Sequence, residues 1–186
     1  MHVRAGNRKR CAVVGAAAAA LVVLAAGPAA AHVEVVPESA PKGGSAILSF
    51  SVPNERDDAS TTQLQVQFPQ DHPIPSVSVQ TKPGWTIAVE KKQLSKPVQT
   101  EDGEVSEVVS TITWSGGEIK PGEFDLFTIS AGPLPTKGSH LEFKALQTYS
   151  DGQVVRWIEE RQKGAPEPEH PAPELELTKA KGGQGH

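Results

Sequence analysis

The chain has 186 residues and a formal net charge of −4. An acidic chain lacks the basic surface that binds nucleic-acid phosphates or anionic lipid, so the composition argues against both partners. The single cysteine, Cys11, excludes an intrachain disulfide, and a hydrophobic core must therefore stabilise the fold.

The first 31 residues have the pattern of a removable export signal. Residues 11–26 form an almost unbroken apolar run of about 16 residues, short of the roughly 20 that span a bilayer. Ala29 and Ala31 are the small residues of a cleavage site, and the preceding basic residues are Arg4, Arg8, Lys9 and Arg10. We expect cleavage after Ala31, a mature protein that begins at His32, and an extracytoplasmic location, either secreted or associated with the cell envelope.

Removal of this leader changes the composition. The mature chain would have 155 residues, a formal charge of −8, no cysteine and no methionine. It therefore offers no thiolate or thioether to a metal ion.

The middle of the chain predicts an all-β fold. Apolar and polar residues alternate in 46–52, 64–68 and 77–79, which is the period of half-buried strands. Further strands are expected at 84–90, 106–114, 124–131, 139–149 and 153–158. Turn sequences separate them, among them Asp102-Gly103, Ser115-Gly116-Gly117 and Asp151-Gly152. About eight or nine short strands indicate a single antiparallel β-sandwich of the immunoglobulin or cupredoxin type over residues 32–162.

The composition changes in residues 163–186, which are rich in proline and glutamate. Such a segment is expected to be a mobile tail, because it buries little apolar surface. The alternating residues 174–178 could still add an edge strand. We expect no C-terminal membrane anchor, because residues 163–186 contain no long apolar run. We expect the other histidines of the mature chain to be exposed to solvent. They are His72, His140, His170 and His186.

A histidine at a free amino terminus is a potential copper ligand. Its α-amine and its Nδ1 can close a six-membered chelate ring, and both nitrogens are available near neutral pH. This geometry suits Cu(II), which prefers tetragonal nitrogen and oxygen ligands. An incidental solvated histidine is the alternative that position 32 alone leaves open.

Several motifs in a fixed order resemble one known family. They are Ala-His-Val-x-Val at the cleavage site, Val52-Pro53-Asn54-Glu55, Trp114-Ser115-Gly116-Gly117, Pro121-Gly122-Glu123-Phe124, and Tyr149-Ser150-Asp151-Gly152 before Arg156-Trp157. Over residues 32–178 the chain resembles the YcnI-like family of exported copper-binding domains, which bind Cu(II) through a mono-histidine brace.

The resemblance implies three site residues. His32 would chelate the metal, Glu55 would supply an oxygen ligand, and Trp157 would lie beside the ion. An indole has no free σ lone pair, so Trp157 would act through its π face, by cation–π attraction and by excluding water. Without the resemblance, Glu55 would be a solvated loop carboxylate and Trp157 a core residue. Glu34 is an alternative carboxylate, because it lies two residues from His32 on the same strand face.

The functional expectation is a non-enzymatic Cu(II)-binding protein, a copper chaperone or acquisition protein. Its partners would be the copper ion and a membrane copper transporter or another copper-handling protein. An adhesion or scaffold sandwich without metal is the second hypothesis. An oxidative copper enzyme is the third, and it would need a second histidine that the sequence does not identify. Hydrolytic motifs such as Gly-x-Ser-x-Gly and His-Glu-x-x-His are absent from the sequence.

Overall fold

The computed structural model describes residues 32–101 and 103–180, together with His2. The rest of the predicted leader, and residues 181–186 with His186, lie outside the described residues. Twelve strands occur in the described part of the chain: β1 (Glu34–Val36), β2 (Ser39–Pro41), β3 (Ala46–Pro53), β4 (Thr61–Gln67), β5 (Ser76–Val79), β6 (Thr86–Thr100), β7 (Gly103–Ile119), β8 (Phe124–Gly132), β9 (His140–Glu142), β10 (Lys144–Tyr149), β11 (Val154–Trp157) and β12 (Glu174–Thr178). No helix among these residues is long and apolar enough to cross a membrane.

The strands form three sheets. One has the order β1-β3-β8-β5 and another the order β11-β10-β4-β7-β6, and every pairing in both is antiparallel. A smaller sheet has the order β2-β12-β9, in which β12 is parallel to β2 and antiparallel to β9. The predicted all-β sandwich is confirmed.

The core lies between the two larger sheets, where the alternating residues of their strands face each other. Phe50 of β3 contacts Trp114 of β7 with ring centroids 6.4 Å apart, and Trp114 contacts Phe127 of β8 at 5.4 Å. These three side chains are fully buried. Buried aromatic residues carry much of the hydrophobic stabilisation of a core, so this cluster holds the two sheets together.

The predicted turn at Ser115-Gly116-Gly117 is wrong, because β7 continues through it to Ile119. The register with β4 shifts here, since Thr61 pairs with Ile119 but Gln63 pairs with Ser115. Gly116 has a φ of 81°, which marks a bulge in the strand. A Cβ at Gly117 would overlap the indole of Trp85. Both glycines therefore serve a strand bulge that lies under an aromatic ring.

The C-terminal segment returns to the sandwich. β12 covers the predicted 174–178 but lies between β2 and β9, not at an edge as expected. Leu175 and Leu177 are buried on one face, while backbone hydrogen bonds join both sides of the strand to its neighbours. The strand is internal because its backbone has partners on both sides.

Candidate metal site

A tight corner follows β3 at the sequence Pro53-Asn54-Glu55. Asn54 is buried, and its side-chain amide donates hydrogen bonds to the carbonyls of Ala59 (2.8 Å) and Ile119 (2.9 Å). Its Oδ1 accepts one from the backbone N–H of Arg56 at 3.0 Å. A buried amide satisfied in this way fixes the local backbone, so Glu55 follows a rigid anchor.

The corner is also tied to the turn between β10 and β11. Arg56 Nη1 lies 2.8 Å from Asp151 Oδ2, and its guanidinium lies 5.0 Å from the centre of the Tyr149 ring. The backbone N–H of Gln153, together with Arg56, holds the pKa of Asp151 below its ordinary value. Burial raises the pKa of the Tyr149 hydroxyl, which is the larger effect there, and Arg56 partly offsets it. These contacts place the Val-Pro-Asn-Glu and Tyr-Ser-Asp-Gly motifs at one end of the sandwich.

Gln147 of β10 connects this corner to Trp157 of β11. The Trp157 indole N–H donates to Gln147 Oε1 at 3.0 Å, while Gln147 Nε2 donates to Pro53 O and to Thr61 Oγ1, each at 2.8 Å. Gln147 is fully buried, so its amide uses both of its polar atoms inside the protein. The network holds the Trp157 ring in one orientation. It also links this ring to Pro53, which lies two residues before Glu55 in the sequence.

His32 packs against Trp157. The two ring centroids are 5.8 Å apart with an interplanar angle of 65°, an edge-to-face arrangement. The His32 side chain is only 15% exposed. It lies just before β1, whose pairing with β3 fixes where the chain enters the fold.

The segment after β11 brings two further polar side chains to the same place. His170 packs against Trp157 with ring centroids 5.1 Å apart, and its Nδ1 is buried with no hydrogen-bond partner among the residues that the structure describes. Glu167 Oε1 lies 3.7 Å from His32 Nδ1. We call His32, Trp157, Glu167 and His170 the amino-terminal site.

The structure thus brings together two of the three predicted site residues, His32 and Trp157. Glu55 is exposed on the corner that Gln147 links to Trp157, and its role as a ligand stays a prediction. The exposed Glu34 on β1 likewise stays an alternative. Sequence reasoning missed Glu167 and His170, and it wrongly expected His170 to be solvated. The sequence signal that could have found these two residues is the alternation in 174–178. A strand there brings the residues before it back to the sandwich.

The donors of the amino-terminal site fit Cu(II). They are imidazole nitrogen and carboxylate oxygen, and among the described residues there is no cysteine or methionine side chain. Cu(II) prefers such nitrogen and oxygen ligands, whereas Cu(I) prefers thiolate and thioether sulfur. The Trp157 ring lies beside these donors, and its predicted role, cation–π attraction and exclusion of water, stays a prediction.

A second group of potential ligands lies on the small sheet. His140 and Glu142 of β9 and Glu174 of β12 present ligand atoms within 4.8 Å of one another. Glu142 and Glu174 are direct partners across the antiparallel pair, and His140 Nδ1 lies 4.0 Å from Glu174 Oε1. We call these three residues the β9–β12 ladder.

Comparisons with known proteins show which family and which fold the chain shares. Residues 32–177 match a family model described as a domain of unknown function, DUF1775. The chain is 29% identical over 141 residues to the copper-binding protein CutI of Bacillus subtilis (strain 168), which covers 75% of this chain and 61% of that protein. The chain therefore spans less than two thirds of this curated relative.

One solved structure is similar over most of its length. It is an uncharacterized protein from Nocardia farcinica, described as having an immunoglobulin-like fold. Its TM-score is 0.63 at 34% sequence identity, over 81% of this chain and 99% of that one. The immunoglobulin-like sandwich is thus shared with a protein of related sequence.

Proposed function

The chain belongs to the DUF1775 family, the YcnI-like family, and on this premise we propose that its mature form binds Cu(II) at the amino-terminal site. The observation that carries the proposal is the packing of His32 against Trp157 at 5.8 Å, with a carboxylate beside the His32 Nδ1. The copper-binding relative supports the choice of metal.

The proposal depends on cleavage after Ala31. In the full chain the His32 nitrogen belongs to the peptide bond with Ala31, and an amide nitrogen is a poor ligand until it loses its proton. Removal of residues 1–31 creates an α-amine, which can release its proton to a metal near neutral pH. The amine and Nδ1 of His32 then hold Cu(II) as a chelate, while Glu55 supplies an oxygen ligand.

The same site favours holding copper over cycling it between oxidation states. Nitrogen and oxygen ligands stabilise Cu(II), and there is no sulfur ligand in the mature sequence to stabilise Cu(I). We therefore favour a chaperone or acquisition protein outside the cytoplasm over an oxidative enzyme. Its partner would be a membrane copper transporter or another copper-handling protein.

The test compares two amino termini on the same domain. One protein begins at His32 with a free α-amine, and the other is the same protein with that amine acetylated, which keeps the imidazole and blocks the second nitrogen of the chelate. Cu(II) affinity is measured by competition with a chelator of known affinity, and the ligand atoms are identified by EPR. We expect acetylation of the α-amine to weaken binding by at least about 100-fold, or about 2.7 kcal/mol.

Equal affinity for the two proteins would contradict the terminal chelate. Mass spectrometry of the protein exported by a bacterial host checks the cleavage itself. A mature terminus at His32 is expected, and a terminus at another residue would remove the site as proposed.

A further inference from the structure

We propose that Glu167 is a further ligand of the copper ion, so that the segment 162–173 closes over the metal. This inference rests on the proposed function, because it requires copper at His32. The segment was expected to be a mobile tail, and the structure gives it a set of contacts around the amino-terminal site.

The C-terminal end of the segment is anchored beside Trp157. His170 O accepts hydrogen bonds from the backbone N–H groups of Ile158 and Glu159, each at 3.1 Å, and His170 N–H donates to Glu159 Oε2 at 2.7 Å. The backbone N–H of Ala172 donates to Glu159 O at 2.9 Å. These contacts hold the end of the segment next to the strand that carries Trp157.

Arg161 positions Glu167 within this loop. Its Nη1 donates to Ala172 O at 2.9 Å, while Nε and Nη2 lie 3.3 and 3.2 Å from Glu167 Oε1. One guanidinium thus joins the start of the segment, its middle and its end. Arg161 thereby holds the Glu167 carboxylate on the side of the loop where its Oε1 lies 3.7 Å from His32 Nδ1.

The distance between Glu167 and His32 suits a shared ion. The 3.7 Å from His32 Nδ1 to Glu167 Oε1 is too long for a hydrogen bond. Bonds from zinc, a neighbouring first-row metal, to imidazole nitrogen and carboxylate oxygen are each about 2.0–2.2 Å. Two such ligands lie between roughly 3 and 4 Å apart when they bind one ion, and the observed separation falls in that range.

Closure by Glu167 would couple copper binding to order in the segment. Residues 161–167 are all exposed, so little buried apolar surface holds this stretch in place. A metal–carboxylate bond from Glu167 would add a restraint that the apo protein lacks. Lys163 lies in this stretch and offers trypsin a cleavage site, which makes the restraint measurable.

The experiment uses the protein that begins at His32, with Glu167→Gln as the test variant and Glu169→Gln as the matched control. The control removes an exposed carboxylate from the same segment. We measure Cu(II) affinity and the rate of tryptic cleavage after Lys163, with and without one equivalent of Cu(II). A His32→Ala protein controls for effects of copper on trypsin.

We expect Cu(II) to slow cleavage several-fold in the parent and in Glu169→Gln, but not in Glu167→Gln or His32→Ala. The affinity of Glu167→Gln should fall about tenfold, with a changed EPR hyperfine splitting. If Glu167→Gln matches Glu169→Gln in affinity and protection while the parent binds copper tightly, this inference is overturned and the proposed function stands. If the parent does not bind Cu(II), both are overturned.

Discussion

The amino-terminal site and the β9–β12 ladder each bring a histidine together with carboxylate groups, in different surroundings. His32 is 15% exposed and packs against an aromatic ring, whereas His140 is 48% exposed and Glu174 is 31% exposed. His32 also gains a second nitrogen if the leader is removed, while His140 lies inside a strand and offers only its ring. Closely spaced potential ligands are therefore not enough to define a copper site. The half-buried surroundings of His32 and its proposed chelate distinguish the amino-terminal site from the β9–β12 ladder.

The charges around the carboxylates differ as well. In the amino-terminal site Arg161 lies against Glu167 and balances its charge. In the ladder two carboxylates face each other across the strands, and like charges in this position are destabilising. Burial raises the pKa of Glu142, which is the largest effect, and the negative charges of Glu160 and Glu174 raise it further, against an opposing effect of His140.

The largest expected effect separates the two histidines. In the protein that begins at His32, His32→Ala should weaken Cu(II) binding at least 100-fold (about 2.7 kcal/mol), because it removes the imidazole of the chelate. His140→Ala should change the affinity by less than about twofold. Competition titration of both variants measures this, and comparable losses would erase the distinction between the two regions.

A moderate effect concerns the support of the Trp157 ring. Trp157→Phe keeps a ring but leaves the buried Gln147 Oε1 without its donor, which should lower the free energy of unfolding by about 1–3 kcal/mol. Urea unfolding followed by circular dichroism gives the value. Trp85→Phe is the matched control. The Trp85 ring packs on Phe127 with ring centroids 4.9 Å apart, so this substitution removes apolar contact. The Gln147 network would be unimportant if Trp157→Phe proved as stable as the parent protein.

The smallest effect is a pH dependence in the ladder. A raised pKa means that folded Glu142 binds its proton more readily than unfolded Glu142. The free energy of unfolding therefore decreases as the pH rises from the ordinary value of 4.5 through the folded pKa. Glu142→Gln removes the charge and should stabilise the protein by about 0.2–1 kcal/mol at pH 7, with little difference below pH 4.

Thermal unfolding of both proteins across this pH range measures the effect. Glu176→Gln serves as the control, because Glu176 lies opposite His140 instead of a carboxylate. A gain from Glu142→Gln that did not change with pH would contradict the assignment to this carboxyl group.

The sequence predicted the strands and the pairing of His32 with Trp157 through different signals. Alternation located the half-buried strands, because one face of each meets the core. The ordered motifs identified His32 and Trp157 through resemblance, although they lie far apart in the chain. The prediction of a turn at Ser115-Gly116-Gly117 was wrong because glycines occur in strand bulges as well as in turns. Only the position of Trp85 in the fold distinguishes the two cases here.

Glu167 and His170 could not be predicted in the same way. Their segment has the composition of a solvated tail, and no local pattern shows that it folds back. Its position follows from two long-range features. One is the insertion of β12 between β2 and β9, and the other is the pair of contacts that the Arg161 guanidinium makes with Ala172 and Glu167.

The internal position of β12 ties the two ends of the described chain together. β12 pairs with β2, which follows His32 closely, and β12 itself follows Glu167 and His170. The amino-terminal site therefore draws on residues from both ends of the described chain. A chain still being synthesised, or one cut short before residue 174, would lack the strand that pins this loop. Truncation before residue 174 is therefore expected to disturb the surroundings of His32, although it removes none of the residues of the amino-terminal site.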